Sequence, residues 1–315
     1  MRTRELGKTG MEVSEIGFGA WAIGGNAHGN SYGPTDDAES IRAVRRAVDL
    51  GCTFFDTADA YGWGHSEELL GVALEGHRTS VHIATKVGGD FYHGGVRMNF
   101  DPGYIAFALE RSLQRLRTDY VDLYQLHNPP IDIMGDPAAY EVLDHLKAEG
   151  KVLHYGVSIH EPVEGVIVAE TGKASAIQLP FNIFRQEWID EVLPEAAARG
   201  LGVVAREPLA NGFLGGKISP DRVFPPGDIR NHWPRSMVAA RVEAARRMAS
   251  FLVRDGQTMA QAAIRFVLSF PQVGVVIPGA KTVSQVEENV LAAEGAPTRE
   301  EVERLRDMYG RGFAR

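Results

Sequence analysis

The stretch Phe54-Phe55-Asp56-Thr57-Ala58-Asp59-Ala60-Tyr61 is an apolar run that ends on a carboxylate, with a tyrosine five positions later. Two further runs end in the same manner. Val81-His82-Ile83-Ala84-Thr85-Lys86 ends on an ammonium, and Val121-Asp122-Leu123-Tyr124-Gln125-Leu126-His127 ends on an imidazole. Continuous rather than alternating apolar runs suit strands buried on both faces, as in parallel sheets. If these strands lie parallel and side by side, Asp56, Tyr61, Lys86 and His127 converge on one spot.

Working outward, such runs recur at 13–18, 53–56, 81–86, 121–126, 152–157, 175–179, 202–205 and 274–277. Helical periodicity lies between them, as in Ile105, Leu109, Leu113 and Leu116, or Ala139, Val142, Leu143 and Leu146. Eight strand-then-helix units in a 315-residue chain point to a closed (β/α)8 barrel, an α/β fold, occupying residues 1–315 as one domain. An open doubly wound sheet is the alternative. The strand ends favour the barrel. Asp56, Lys86, His127, Ser158, Gln178 and Arg206 stand at or just past the C-terminal ends of their runs. A barrel gathers all of these into one mouth, whereas an open sheet spreads them along an edge.

At the N-terminus, two extended segments around Lys8-Thr9-Gly10 read as a hairpin, the second running on to Gly19. Asp36 with Glu39 three positions later marks a helix start, and Gly51 its stop. Residues 207–236 form a long connection rich in Gly and Pro, leaving the mouth after the seventh strand. A loop of that length reads as a lid. Gly17-Phe18-Gly19-Ala20-Trp21-Ala22 fits the dinucleotide fingerprint G-x-G-x-x-A, but a Gly/Asn/His loop follows it where a helix would have to receive a pyrophosphate. The glycines are better explained by close backbone approach at the first strand's exit, with Trp21 presented to the mouth.

Composition excludes several function classes. A net charge of −8 gives no footprint for nucleic acid or for an anionic membrane surface. No apolar run approaches the roughly 20 residues that a membrane span needs, and the N-terminus lacks the apolar centre of a signal peptide. One cysteine, Cys52, excludes an internal disulfide and suits a reducing compartment. Its apolar neighbours make it a buried thiol. The expectation is a cytoplasmic protein.

The polar cluster fits one kind of chemistry. A tyrosine hydroxyl titrates at about 10 in water, too high for efficient acid–base work at neutral pH. An ammonium at Lys86 would lower that value, and Asp56 would hold the ammonium charged and aimed. His127 could hydrogen-bond a substrate oxygen and fix its orientation. Such a site protonates a carbonyl oxygen while hydride arrives from elsewhere, and since no side chain supplies hydride, a nicotinamide cofactor is implied. Metal-assisted hydrolysis is the competing scheme for an Asp- and His-bearing mouth. The ten histidines contain no H-E-x-x-H and no His-x-His pair at a strand end, and Tyr61 has no task in that scheme.

These residues resemble the aldo-keto reductase family over nearly the whole chain. Asp56 through Gly71, Thr85-Lys86 and Leu126-His127 are similar to its signatures, and all four positions of its tetrad match: Asp56, Tyr61, Lys86 and His127. The resemblance implies a (β/α)8 barrel that binds NADPH in an extended form and acts on a small-molecule carbonyl or alcohol. Ser158 and Gln178 match contacts to the nicotinamide carboxamide, although Ile159 stands where an Asn is usual. Arg206 occupies a position where many members stack a tyrosine under the nicotinamide, and a flat guanidinium can stack there too. Gly19 and Trp21 belong to the cofactor's side of the mouth. Leu209, Asn211, Gly212 and Lys217 resemble the segment that wraps the pyrophosphate. Ile277-Pro278-Gly279-Ala280-Lys281 and the following Gln285-Val286-Glu287-Glu288-Asn289 resemble the adenosine-phosphate motif, with Glu288 and Asn289 at the adenine contacts. Gly279 and Gln285 replace basic residues that several members place on the 2′-phosphate. Lys281 then stands as the cationic partner and favours NADPH, with NADH as the alternative. The implied activity is reduction of an aldehyde, ketone or sugar, or the reverse. A second possibility is a cofactor-sensing subunit similar to the family's potassium-channel β subunits. Substrate choice is expected to reside in the loops at 24–34, 87–100 and 207–236, with Trp21, Trp63, Phe91, Tyr92 and Trp233 as candidate aromatic walls.

Overall fold

Strands apolar on both faces need cover on both sides, and closing the sheet on itself inside a ring of helices provides it. The computed structural model, which describes residues 1–29, 31–254 and 256–313, solves the problem in that way. Among the described residues, eight parallel strands follow one another in chain order. They are β1 (Phe18–Gly19), β2 (Phe54–Asp56), β3 (His82–Val87), β4 (Val121–His127), β5 (Val152–Ser158), β6 (Ala176–Pro180), β7 (Gly202–Arg206) and β8 (Val273–Ile277). Closure comes from parallel bridges between Ile16 and Val276 and between Gly19 and Gly279. The amides of Gly17 and Gly19 donate to the carbonyls of Val276 and Pro278, at 2.8 and 3.1 Å. This seam explains the glycines of the G-x-G-x-x-A stretch. A Cβ on Gly19 would stand 2.7 Å from the Ile277 carbonyl oxygen. A 3₁₀ turn, Ala20–Gly24, follows β1 in place of a pyrophosphate-binding helix.

The expected first strand proves to be two pieces. Glu12–Ser14 pairs with Thr3–Glu5 as an N-terminal hairpin, and the chain joins the barrel from Ile16 onward, first by its bridge to Val276 and then as Phe18–Gly19. Buried Glu15 forms the break between them, held by Arg2 at 2.8 Å and Arg4 at 3.3 Å. Leu6, Met11 and Val13 of the hairpin region pack with Phe54, Ala84, Leu123, Ala176, Val204 and Val275, which closes the barrel interior at the strands' N-terminal end. The opposite end therefore remains as the mouth.

The outer ring comprises α1 (Asp37–Asp49), α2 (His65–Ala73), α3 (Pro102–Leu116), α4 (Pro137–Ala148), α5 (Pro162–Thr171), α6 (Val192–Arg199), α7 (Arg235–Leu252), α8 (Met259–Leu268), α9 (Val283–Val290) and α10 (Arg299–Gly310). Helix α1 starts as the sequence indicates, with the Asp36 carboxylate accepting from the Glu39 amide at 2.7 Å, a cap whose loss costs about 1 kcal/mol. Its apolar stripe, Ala43, Val44 and Ala47, is fully buried against the barrel. None of the described helices is long and apolar enough to cross a membrane. Cys52 is buried, and desolvation pushes its thiol up to about 12, which keeps it protonated and unreactive. The segment 87–100 carries a small hairpin, Gly89–Asp90 with Arg97–Met98, that the sequence reading treats as loop. Buried Asp90 organises it by accepting from the Tyr92 amide and the Asn99 side chain, each at 3.1 Å.

Candidate active site

The parallel register brings the ends of β2, β3 and β4 together at the mouth. Lys86 has no solvent exposure, and its Nζ donates to Asp56 Oδ1 at 2.6 Å, the Thr57 carbonyl at 2.7 Å and Tyr61 Oη at 3.1 Å. An ammonium has three N–H groups, and all three are used. The other carboxylate oxygen, Asp56 Oδ2, accepts from Gln178 Nε2 at 2.7 Å and Gln125 Nε2 at 3.3 Å. Charges taken out of water are tolerated only when their remaining hydrogen-bonding capacity is met, and here β3, β4 and β6 all contribute to meeting it. The His127 ring stands edge-on to the Tyr61 ring with centroids 5.6 Å apart. Asp56, Tyr61 and His127 face the cleft, while Lys86 lies beneath them.

Electrostatics at this cluster correct one expectation. Burial dominates at Tyr61 and raises its phenol above the usual value; Lys86 works in the lowering direction, and Asp56 offsets part of that. The net shift is upward, opposite to what the sequence reading proposes from Lys86 alone. For Lys86 burial also acts first, disfavouring the charge, but Asp56 and Tyr61 outweigh it and the ammonium is retained. Burial, together with the charges of Lys86 and Arg206, holds His127 well below the ordinary histidine range. The site thus presents a neutral phenol, a charged ammonium and a neutral imidazole.

A cleft of about 840 Å³ runs from this cluster across the mouth. Of the cofactor positions singled out in the sequence, Gly19, Trp21, Gln178, Arg206, Leu209, Asn211, Gly212, Lys217, Gly279, Lys281, Gln285, Glu288 and Asn289 all line it. Ser158 and Pro278 do not. Ser158 is fully buried and donates to Asn128 Oδ1 at 3.0 Å, so Asn128 is the polar side chain that reaches the cleft there. Pro278 is used in the barrel seam, where its carbonyl accepts from Gly19. Ile159, which replaces the usual Asn, is packed in the core.

The cleft fits a dinucleotide on its own chemistry. Gln178 Oε1 and Arg206 Nε are buried polar atoms without a partner among the described residues, and both residues line the cleft. Buried polar groups left unpaired are costly, so a ligand amide that answers them is favoured. Arg206 is otherwise held flat by Glu207 and by the Ile159 carbonyl at 3.0 Å.

Several residues at the cleft escape a reading by local pattern. Tyr32, from the loop after β1, packs edge-on to Trp21 at 4.4 Å and accepts from Asn211 Nδ2 at 2.9 Å. Its neighbour Ser31 accepts at its carbonyl from the Ile229 amide at 3.0 Å, and Arg230 lies 4.6 Å over the Tyr32 ring. The first loop and the long connection therefore meet at the cleft. Lys281 is the main departure. Its Nζ donates to the carbonyls of Tyr32 at 2.7 Å and of Gly33 and Pro34 at 3.3 Å, so the ammonium offered in the sequence as a phosphate partner is already engaged. The aromatic candidates divide. Trp21 faces the main cleft, Trp233 a neighbouring pocket of about 210 Å³, and Trp63, Phe91 and Tyr92 stack in series with His28 outside both.

Residues 15–309 match the sequence profile of the Aldo/keto reductase family. The chain belongs to the aldo-keto reductases. It is 34% identical over 295 residues to aldo-keto reductase YhdN of Bacillus subtilis, covering 91% of this chain and 87% of that one. It is 30% identical over 312 residues to L-glyceraldehyde 3-phosphate reductase of Escherichia coli, covering 93% and 87%. Among solved structures it resembles the holo form of aldo-keto reductase AKR11C1 from Bacillus halodurans, at TM-score 0.78 and 31% identity over 98% of this chain and 96% of the other. It also resembles glycerol dehydrogenase AKR11B4 from Gluconobacter oxydans, at TM-score 0.80 and 30% identity over 98% and 95%. As an aldo-keto reductase the chain is an enzyme of carbonyl–alcohol oxidoreduction that uses a nicotinamide cofactor.

Proposed function

We propose that this aldo-keto reductase interconverts an aldehyde, ketone or sugar carbonyl and its alcohol, with Tyr61 as the proton donor and acceptor at the carbonyl oxygen. The observation that carries the reading is the Lys86 ammonium bridging Asp56 Oδ1 at 2.6 Å and Tyr61 Oη at 3.1 Å. A bound nicotinamide dinucleotide would supply or receive the hydride. Gln178, Asn128 and Arg206 would hold its nicotinamide end, and Leu209, Asn211, Gly212 and Lys217 the middle of the cleft. In the direction of reduction Tyr61 gives its proton to the oxygen, and Lys86 steadies the phenolate that remains. Neutral His127, its ring beside Tyr61, donates a hydrogen bond that orients the same oxygen. Asp56 keeps the ammonium in place, and Gln178 and Gln125 keep Asp56 in place. The relatives carry names of reductases and dehydrogenases, which does not favour the regulatory-subunit alternative. Consumption of reduced dinucleotide in the presence of a generic aldehyde such as 4-nitrobenzaldehyde tests the activity directly.

The pH dependence follows from the direction of the Tyr61 shift. The proton-donating form of a phenol persists below its pKa, and burial has moved that pKa above its usual value. Reduction is therefore expected to hold a constant kcat/KM through neutral pH and to decline only in the alkaline range. Oxidation needs the phenolate and is expected to rise with pH over the same interval. Paired profiles of the two directions would check this, and a reduction rate that already falls below neutrality as pH rises would contradict it.

A further inference from the structure

We infer that Lys281 is a latch for the loop around Tyr32 rather than a seat for a 2′-phosphate, and that the adenosine end of this cleft accepts NADH as readily as NADPH. The inference rests on the reading of the cleft as a dinucleotide site. Lys281 follows β8 and directly precedes the cap of α9. Its Nζ spends its hydrogen-bonding capacity on the carbonyls of Tyr32, Gly33 and Pro34. A phosphate that recruited this ammonium would have to release all three. It would also free the segment whose Ser31 carbonyl holds Ile229 and whose Tyr32 hydroxyl holds Asn211. The gain of one charged contact is set against the loss of the loop's anchor.

The start of α9 is the other natural seat for a phosphate, because the first amides of a helix point at an anion. Here the chain answers two of the first three itself, and the amide just before the cap as well. The Val283 amide donates to Glu39 Oε1 at 3.0 Å, the Gln285 amide to Thr282 Oγ1 at 3.3 Å, and the Lys281 amide to Gln285 Oε1 at 2.8 Å. Glu39 is thus an anion already docked at this helix end, further held by Arg42 at 2.6 Å. The Val283 amide and Arg42 keep its carboxyl below the usual range, so it is charged at neutral pH. A second anion beside it meets like-charge repulsion.

The remaining charges at this end of the cleft do not reverse the balance. Lys217 is paired with Glu288 at 2.7 Å, and Glu288 itself faces the cleft. Apart from Lys281, Arg222 on the long connection is the cleft-lining cation at this end without a carboxylate partner among the described residues, and it is exposed. An exposed guanidinium interacts weakly with an anion because water screens it.

The test is titration of the full chain with NADH and with NADPH, read by quenching of tryptophan fluorescence and by calorimetry, so that no turnover is involved. The wild type is expected to bind the two with Kd values within roughly threefold of each other. Lys281→Met is expected to weaken both by the same factor, about tenfold, because it frees a loop common to both complexes. Glu39→Gln is expected to tighten NADPH by several fold and to leave NADH unchanged. A wild-type preference for NADPH of about tenfold or more, abolished by Lys281→Met, would overturn the inference. Should Lys281→Met fail to fold, the wild-type ratio and the Glu39→Gln titration decide it. If neither dinucleotide bound, that result would instead overturn the reading of the cleft on which the inference stands.

Discussion

Tyr61→Phe is expected to lower kcat for carbonyl reduction by about 10²–10⁴-fold, the usual contribution of one positioned acid–base group, with dinucleotide affinity unchanged. The substitution removes a single oxygen. That oxygen accepts one of the three hydrogen bonds from Lys86, whose bonds to Asp56 and Thr57 remain. The ring still fills its place beside His127, so the cleft keeps its shape. What disappears is the proton for the carbonyl oxygen and the cation's hold on that proton's donor. Rapid-mixing measurement of a single turnover, alongside a fluorescence titration of cofactor, separates the chemical step from binding. A variant that retained most of its turnover would show that the proton comes from another group.

Lys86→Met is expected to be damaging in a second way, by lowering stability as well as activity. The change leaves the Asp56 carboxylate, 2% exposed, with amide donors from Gln178 and Gln125 but no cation. Removing one partner of a buried ion pair costs about 3–5 kcal/mol. A fall of that size in unfolding free energy, measured by urea denaturation with an unchanged slope, is the predicted outcome. Adding Asp56→Asn should restore part of the stability, since the orphaned charge is gone, and none of the activity. If the single variant were as stable as the wild type, the ion pair would not be organising the strand ends as described.

The sequence carries the barrel because its strands announce themselves locally. Apolar runs buried on both faces at 54–56, 82–87 and 121–127 follow one another along the chain, and their closing residues share one end by the parallel rule. Asp56, Lys86, Tyr61 and His127 could be placed together on that ground. The split between Glu12–Ser14 and Phe18–Gly19 was hidden because Ile16 and Phe18 continue the apolar pattern across the break. The break depends on Glu15 meeting Arg2 and Arg4, a contact that periodicity does not encode. The hairpin at 89–98 leaves no periodic signal because its strands are two residues long, below any pattern's reach.

Contacts between loops distant in sequence were less legible still. Lys281 and Tyr32 lie 249 residues apart, and Asn211 reaches Tyr32 over 179. The chain offers an available lysine in that position; only folding shows its charge taken up by the backbone. The Tyr61 shift teaches a related lesson. A neighbouring cation can be read from strand ends, but the burial that outweighs it belongs to the assembled mouth.

The mechanism is tested most directly by a crystal structure of this chain with reduced dinucleotide and a carbonyl inhibitor bound together. The prediction is a carbonyl oxygen within about 3.2 Å of Tyr61 Oη, ordinary hydrogen-bond reach for a proton donor, with His127 on the same oxygen and the nicotinamide beside Gln178 and Arg206. A nicotinamide bound at the hairpin-plugged end, or a carbonyl oxygen held away from Tyr61 by other donors, would contradict it.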